Sequence, residues 1–190
     1  MQILDKIKLP EDIKNLSLKE LELLANDLRN VITKYTLANG GHLASNLGVV
    51  DLTCALNYVF DFPKDKLIFD VGHQCYAYKI LTGRLKEFNT LRQKDGINGF
   101  PKREESQYDT VNSGHASTAL SIACGMARGD IDGNIICLIG DGAMTGGLFF
   151  EALNDVLTLN KKVIFIINDN NMSISGNVGF INEYLKIVRK

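Results

Sequence analysis

The stretch Asn134–Ser175, NIICLIGDGAMTGGLFFEALNDVLTLNKKVIFIINDNNMSIS, decides the fold. A short apolar run, Ile135-Ile136-Cys137-Leu138-Ile139, stops at Gly140-Asp141-Gly142. A helix-like segment follows, then a second apolar run, Val163-Ile164-Phe165-Ile166-Ile167, that stops at Asn168-Asp169-Asn170. Neither run alternates apolar with polar residues, which is the pattern of strands covered on both faces. Joined by a helix they read as a βαβ unit, so the expected class is α/β, three layers of α/β/α around a mostly parallel sheet. Both polar clusters then fall at the carboxyl ends of parallel strands, where open α/β sheets place their ligands. Asp141 and Asn170 come side by side there, although 28 residues lie between them.

A carboxylate and an amide oxygen on neighbouring strand ends are hard oxygen ligands. Mg²⁺ takes few protein oxygens and completes its octahedron with phosphate oxygens. Gly140 and Gly142 leave room for a diphosphate to approach the backbone. The next helix, expected from about Thr145, aims its free N–H groups at the same place. A solitary Gly-Asp-Gly reads better as a tight strand-to-helix turn with solvated polar residues. The Asn-Asp-Asn cluster closing the next strand is what favours a ligand site. Spacing alone does not choose between Asn168 and Asn170.

At 190 residues the chain holds one domain or a little more, enough for a real core. Hydrophobic residues make up 45% and charged residues 23%, with a net charge of −1, so nothing points to nucleic acid or to a membrane surface. The opening MQILDKIKLPED is too polar, and too broken by Pro10, for a signal peptide. No apolar run reaches the roughly 18 residues of a membrane span. Cys54, Cys75, Cys124 and Cys137 are scattered without metal spacing, which reads as reduced core thiols in a cytoplasmic protein with no zinc site.

Ser17-Leu18-Lys19-Glu20 is a capping-box signature, and Leu21, Leu24, Leu28, Val31, Ile32 and Tyr35 continue it with helical period as far as Gly40-Gly41. A glycine- and serine-bearing loop leads to a second helix over Val49–Val59, closed by Pro63. Lys66–Asp70 reads as the first strand and Asp70–Gln74 as the turn at its end. A third helix is expected from about His73 to Gly83, then mostly loop with one short helical turn to Asp109. A helix of small residues follows from Ser113 to about Arg128, suited to close packing on a sheet or a partner. The chain finishes on an amphipathic segment, Phe180–Val188.

All three histidines directly follow a glycine: Gly41-His42, Gly72-His73 and Gly114-His115. Each pair lies where a loop or strand end meets a helix, on the side where an α/β sheet gathers its ligands. One such histidine reads as a cap or a surface group. Three of them beside a diphosphate motif read as a shared site, because histidine bonds phosphate and carries protons near neutral pH.

Gly-Asp-Gly, a spacer of just under thirty residues and a closing asparagine are the diphosphate motif of thiamine-diphosphate enzymes. The fuller wording, Gly140–Gly147 with Asn168–Ser175, resembles the 1-deoxy-D-xylulose-5-phosphate synthase family of the transketolase-like superfamily. Gly41–Gly48 is similar to that family's GGH-x-x-S-x-L-G loop, Asp70–Gln74 to its D-V-G-H-Q, and Gly99–Arg103 to its G-F-P-K-R. Ser113–Thr118 is similar to its G-H-S-S-T segment, with Ala116 in place of a serine and so without that hydroxyl. The resemblance implies the cofactors thiamine diphosphate and Mg²⁺. It implies that His42 faces the substrate and that His73 lies near the reactive end of the cofactor. It places Gly114, His115, Ala116, Gly142 and Ala143 against the cofactor. It selects Asn170, with Asp141 and the Met172 carbonyl, as the magnesium ligands. Glu151, on the helix after the motif, has a family counterpart and reads as a packing residue rather than a catalytic one.

The activity implied is the joining of pyruvate to glyceraldehyde 3-phosphate with release of CO₂, which begins isoprenoid and thiamine precursors. In the family a glutamate and phosphate-binding arginines come from a second domain, and the enzyme dimerises. Residues 1–39 are therefore expected as a helical lead-in and 40–190 as the diphosphate domain, truncated before its final strands and acting as a homodimer or with a chain bearing the other domains. A non-catalytic thiamine-diphosphate module, and one half of a split transketolase, are the alternatives.

Overall fold

The computed structural model describes residues 3–169 and, beyond them, residues 179, 180, 183, 184 and 187. Asn170, Met172 and most of the 180–188 segment lie outside the described residues. The chain forms two compact units, Met1–Lys64 with Gly72–Asn112, and Asp65–Val71 with Ser113–Lys190. Among the described residues no helix is long and apolar enough to cross a membrane.

The first unit is helical. Its long helix α1, Leu18–Asn39, starts on the capping box read in the sequence: the Glu20 N–H donates to Ser17 Oγ, and the Ser17 N–H donates to the Glu20 carboxylate at 2.9 Å. Leu24, Leu28 and Ile32 keep the four-residue step and are fully buried, so this stripe, not intrinsic propensity, fixes the helix in place. Gly40, at φ 80°, ends it. A five-residue helix α2, Leu43–Leu47, then precedes α3, Val50–Val59. The third helix starts later than its sequence suggests. Residues 71–75 are consumed by a turn in which Val71 and Gly72 both take positive φ, and α4 covers only Tyr76–Lys79 before a wider turn at Ile80–Arg84. Beyond it the chain is loop to Asn112, apart from a single turn at Phe88–Thr90.

The second unit holds the sheet. Strands β1 (Lys66–Phe69), β2 (Ile135–Gly140) and β3 (Val163–Asn168) run parallel in the order β1-β2-β3. Ile135–Ile139 of the central strand are completely buried, which accounts for its unbroken apolar run. Asp65 fixes the start of β1 and β2 by accepting both the backbone N–H and the side-chain amide of Asn134. Helix α5, Ala119–Arg128, packs across all three strands. It buries Ala119, Leu120, Ala123, Cys124 and Ala127, small residues for the most part, which is how a helix comes close to a sheet. Helix α6, Gly147–Val156, begins two residues after the expected Thr145, because Asp141–Thr145 winds as a tight 3₁₀ turn and Gly146 is extended. β3 is half-buried, with no strand on its far side among the described residues. All four cysteines are free and buried, and burial pushes the Cys54 and Cys75 thiols up to about 12.

Candidate functional site

The candidate residues fall into two groups, one in each unit. In the sheet unit, β2 ends at Gly140, which pairs in register with Asn168 at the end of β3. The next residues are Asp141, 3% exposed, and Asp169. Asp169 brings a second carboxyl up to that of Asp141. Burial, and then that neighbour, hold the Asp141 carboxyl above the usual carboxylate range. A bound divalent cation would supply the positive charge that two adjacent carboxyls call for, so these hard oxygen donors fit Mg²⁺. Among the described residues no group of three His, Cys, Asp or Glu side chains could hold an ion, so these two carboxyls would be only part of a cation's oxygen shell.

Two strand ends and the start of α5 are tied together around this turn. Asp70, buried at the end of β1, accepts the N–H groups of Ser117 at 2.8 Å and Ala119 at 3.0 Å, and so caps α5. Burial raises the Asp70 carboxyl, against the lowering effect of those N–H groups. The Ser117 hydroxyl donates to the Ala143 carbonyl at 2.6 Å, inside the 3₁₀ turn. A side chain at Gly146 would run into that same hydroxyl. Gly142 and Ala143 are thereby fixed and half-exposed, while Gly114, His115 and Ala116 form an exposed loop before α5. Gly114 at φ 153° and Ser117 at φ 69° give that loop its shape. Beside it Ser113 Oγ is buried with no hydrogen-bond partner among the described residues, a polar atom suited to a ligand.

In the helical unit, His42 and His73 stand edge to face with ring centroids 5.3 Å apart, and Phe100 closes on His42 at 5.7 Å. Their chain positions are set by one buried side chain. The Asn46 amide donates to the His42 carbonyl at 2.6 Å and the His73 carbonyl at 2.7 Å, and accepts the Tyr76 N–H at 2.8 Å. Gly41 is obligatory before His42. Its φ is 141°, and a Cβ there would lie 2.7 Å from the Tyr76 hydroxyl. Burial lowers the pKa of both imidazoles, assisted by Arg92 at His42 and by His42 at His73. Both Nδ1 atoms are buried with no partner among the described residues. Two neutral rings with unclaimed nitrogens can each accept or donate a proton near neutral pH.

The structure thus brings His42 and His73 together, and places Asp141, Gly142, Ala143, Gly114, His115 and Ala116 in the other unit. Asn46, Asp70 and Ser117 are the residues that the sequence reading did not single out. Each lies inside a motif, but its partners are up to 49 residues away in the chain.

The chain matches the family model described as 1-deoxy-D-xylulose-5-phosphate synthase over residues 4–190. It belongs to the 1-deoxy-D-xylulose-5-phosphate synthase family. It is 56% identical to the 1-deoxy-D-xylulose-5-phosphate synthase of Carboxydothermus hydrogenoformans over 98% of this chain and 31% of that one. It is 52% identical to that of Thermus thermophilus over 97% of this chain and, again, 31% of the relative. The chain therefore spans about a third of the length of the synthases it matches. Among solved structures, a transketolase from Campylobacter jejuni superposes with a TM-score of 0.69 over 85% of this chain and 30% of that one, at 24% identity, and so shares the α/β fold.

Proposed function

We propose that this chain supplies the diphosphate-binding part of a thiamine-diphosphate- and Mg²⁺-dependent synthase that joins pyruvate to glyceraldehyde 3-phosphate, working as a homodimer or with the rest of the family's length. Residues 40–190 form the diphosphate domain in this reading, with 1–39 as a helical lead-in. The observation that carries it is the buried Asp141, set in Gly-Asp-Gly at the end of β2 and against Asp169 at the end of β3. Asp141, with Asn170 and the Met172 carbonyl, holds the cation. Gly142 and Ala143 offer backbone to the diphosphate, as do Gly114, His115 and Ala116 from the loop before α5. When bound, thiamine diphosphate supplies the electron sink for breaking and forming carbon–carbon bonds. His73 orients the reactive end of the cofactor, and His42 bonds and exchanges a proton with the substrate oxygen. Their lowered pKa values keep both rings neutral at pH 7, ready for either direction of transfer.

Calorimetric titration with thiamine diphosphate tests the reading. Saturable binding in Mg²⁺ that disappears with chelator is expected, and Asp141→Ala should abolish it. Equal affinity with and without Mg²⁺, or in the Asp141→Ala variant, would overturn the metal assignment.

A further inference from the structure

Four charged side chains in the helical unit take no part in the chemistry above. Lys79 is fully buried on α4, Arg84 is 7% exposed on the turn after it, and Asp109 is 4% exposed. Glu105 closes the group with a side chain 17% exposed. Arg84 bonds Asp109 through two nitrogens, at 2.7 and 2.9 Å, and Glu105 at 3.0 Å. Lys79 pairs with Glu105 and lies 3.6 Å from Asp109. The group is neutral, two cations against two carboxylates. Stability does not explain it, since buried ion pairs can often be replaced by apolar side chains of similar volume at no loss.

What apolar side chains could not do is accept hydrogen bonds from a loop. Glu105 Oε1 accepts the Asn98 N–H at 2.7 Å, and Asp109 Oδ2 accepts the Lys102 N–H at 2.8 Å. Between them the Phe100 N–H donates to Asn98 Oδ1 at 2.9 Å. The segment from Asn98 to Lys102 has no helix or strand bonding of its own. Glu105 therefore bonds the loop amide with Oε1 and the buried cations with Oε2, while Asp109 Oδ2 takes the loop amide and a cation together and Oδ1 bonds Arg84. The residue suspended between the two pinned amides is Phe100, whose ring packs on His42.

We infer that the Lys79–Arg84–Glu105–Asp109 cluster is a latch that fixes the 98–102 segment and so positions Phe100 against His42 before any ligand arrives. Its functional weight rests on the proposed role of His42, but the test contains no cofactor, so the two readings fail separately.

Amide hydrogen exchange and the His42 ring resonances, followed by NMR on the ligand-free chain, test it. In the unaltered protein the Asn98 and Lys102 amides should be protected about 100-fold or more despite lying in a loop. Glu105→Ala should speed exchange at Asn98 and Phe100 about tenfold while the α1 amides keep their rates, because a hydrogen bond to a charged acceptor is lost locally. The same variant should shift the His42 ring protons as the Phe100 ring leaves them. Glu105→Gln, which keeps an acceptor for Asn98, should restore most of both effects. A uniform rise across loop and α1 would make the cluster a stability element only, and unchanged loop rates or His42 resonances in Glu105→Ala would remove the latch. If Glu105→Ala does not fold, the unaltered chain decides, since Asn98 and Lys102 amides exchanging as freely as exposed coil overturn the inference.

Discussion

Asn46 does with one side chain what neither the α2 helix nor the turn after β1 does alone. Its two amide hydrogens and its oxygen are all used, on the carbonyls of His42 and His73 and on the Tyr76 N–H. Asn46→Ala would leave two carbonyls and one N–H without their partner, a loss of about 3 kcal/mol on the scale of buried unsatisfied groups. Asn46→Asp keeps the shape but turns a donor towards two carbonyl oxygens into an acceptor, so it should lose at least as much. Urea unfolding measures the stability, and loss of the NOE between the two imidazoles reports the separation of the rings. An aspartate variant as stable as the parent would show that the bracket is not needed. No pattern in the sequence announces this residue, because its hydrogen bonds reach 4, 27 and 30 positions along the chain. The position of Asp141 at the end of β2 was legible, by contrast, because its setting is local: glycines on both sides, after an apolar run.

At the scale of elements, the strands and the long helix were readable for separate reasons. β2 is apolar throughout because it is the covered central strand, β3 repeats that apolar run although it is only half-buried, and α1 carries both a capping box and a four-residue stripe. The boundaries of α4 and α6 were not readable. Their first turns are replaced by tight turns that use the same residue types as a helix start. The segment from Arg84 to Asp109 reads as polar and mostly loop, and its burial of Arg84 and Asp109 comes from partners 25 residues apart. For α5 the decisive property is size. Ala123 is fully buried where the helix meets the sheet. Ala123→Leu should therefore destabilise the protein by about 1–3 kcal/mol through overpacking, read as a lower midpoint in thermal unfolding. A midpoint equal to the parent's would mean that the helix does not lie as close to the strands as its alanines permit.

For the molecule as a whole, acid stability follows from the two imidazoles. Their folded pKa values lie below the value near 6.5 of an unfolded histidine. Between the two, the unfolded chain binds more protons than the folded one, so stability rises with pH. Their contribution is complete above about pH 6.5 and is lost as pH falls through the folded values. Asp70 has the opposite sign: its raised carboxyl favours the folded state below the ordinary aspartate range, and that advantage disappears as pH rises. Urea unfolding at pH 7.5 and 5.5 should show the chain weaker at the lower pH, and His73→Gln should lessen the difference. A pH-independent midpoint across that range would contradict the neutral assignment.

The pairing of β1 with β2 has a consequence for how the protein is made. Asp65 and Asn134, which join the starts of the two strands, are 69 residues apart in the chain. At ribosomal speeds of about 5–20 residues per second, β1 leaves the tunnel roughly 3–14 s before its neighbour exists. Throughout that interval Leu67, Ile68 and Phe69, almost wholly buried in the finished protein, have no sheet to join. Nascent chains of this protein should therefore bind holdase chaperones most strongly while β1 is out and β2 is still being translated.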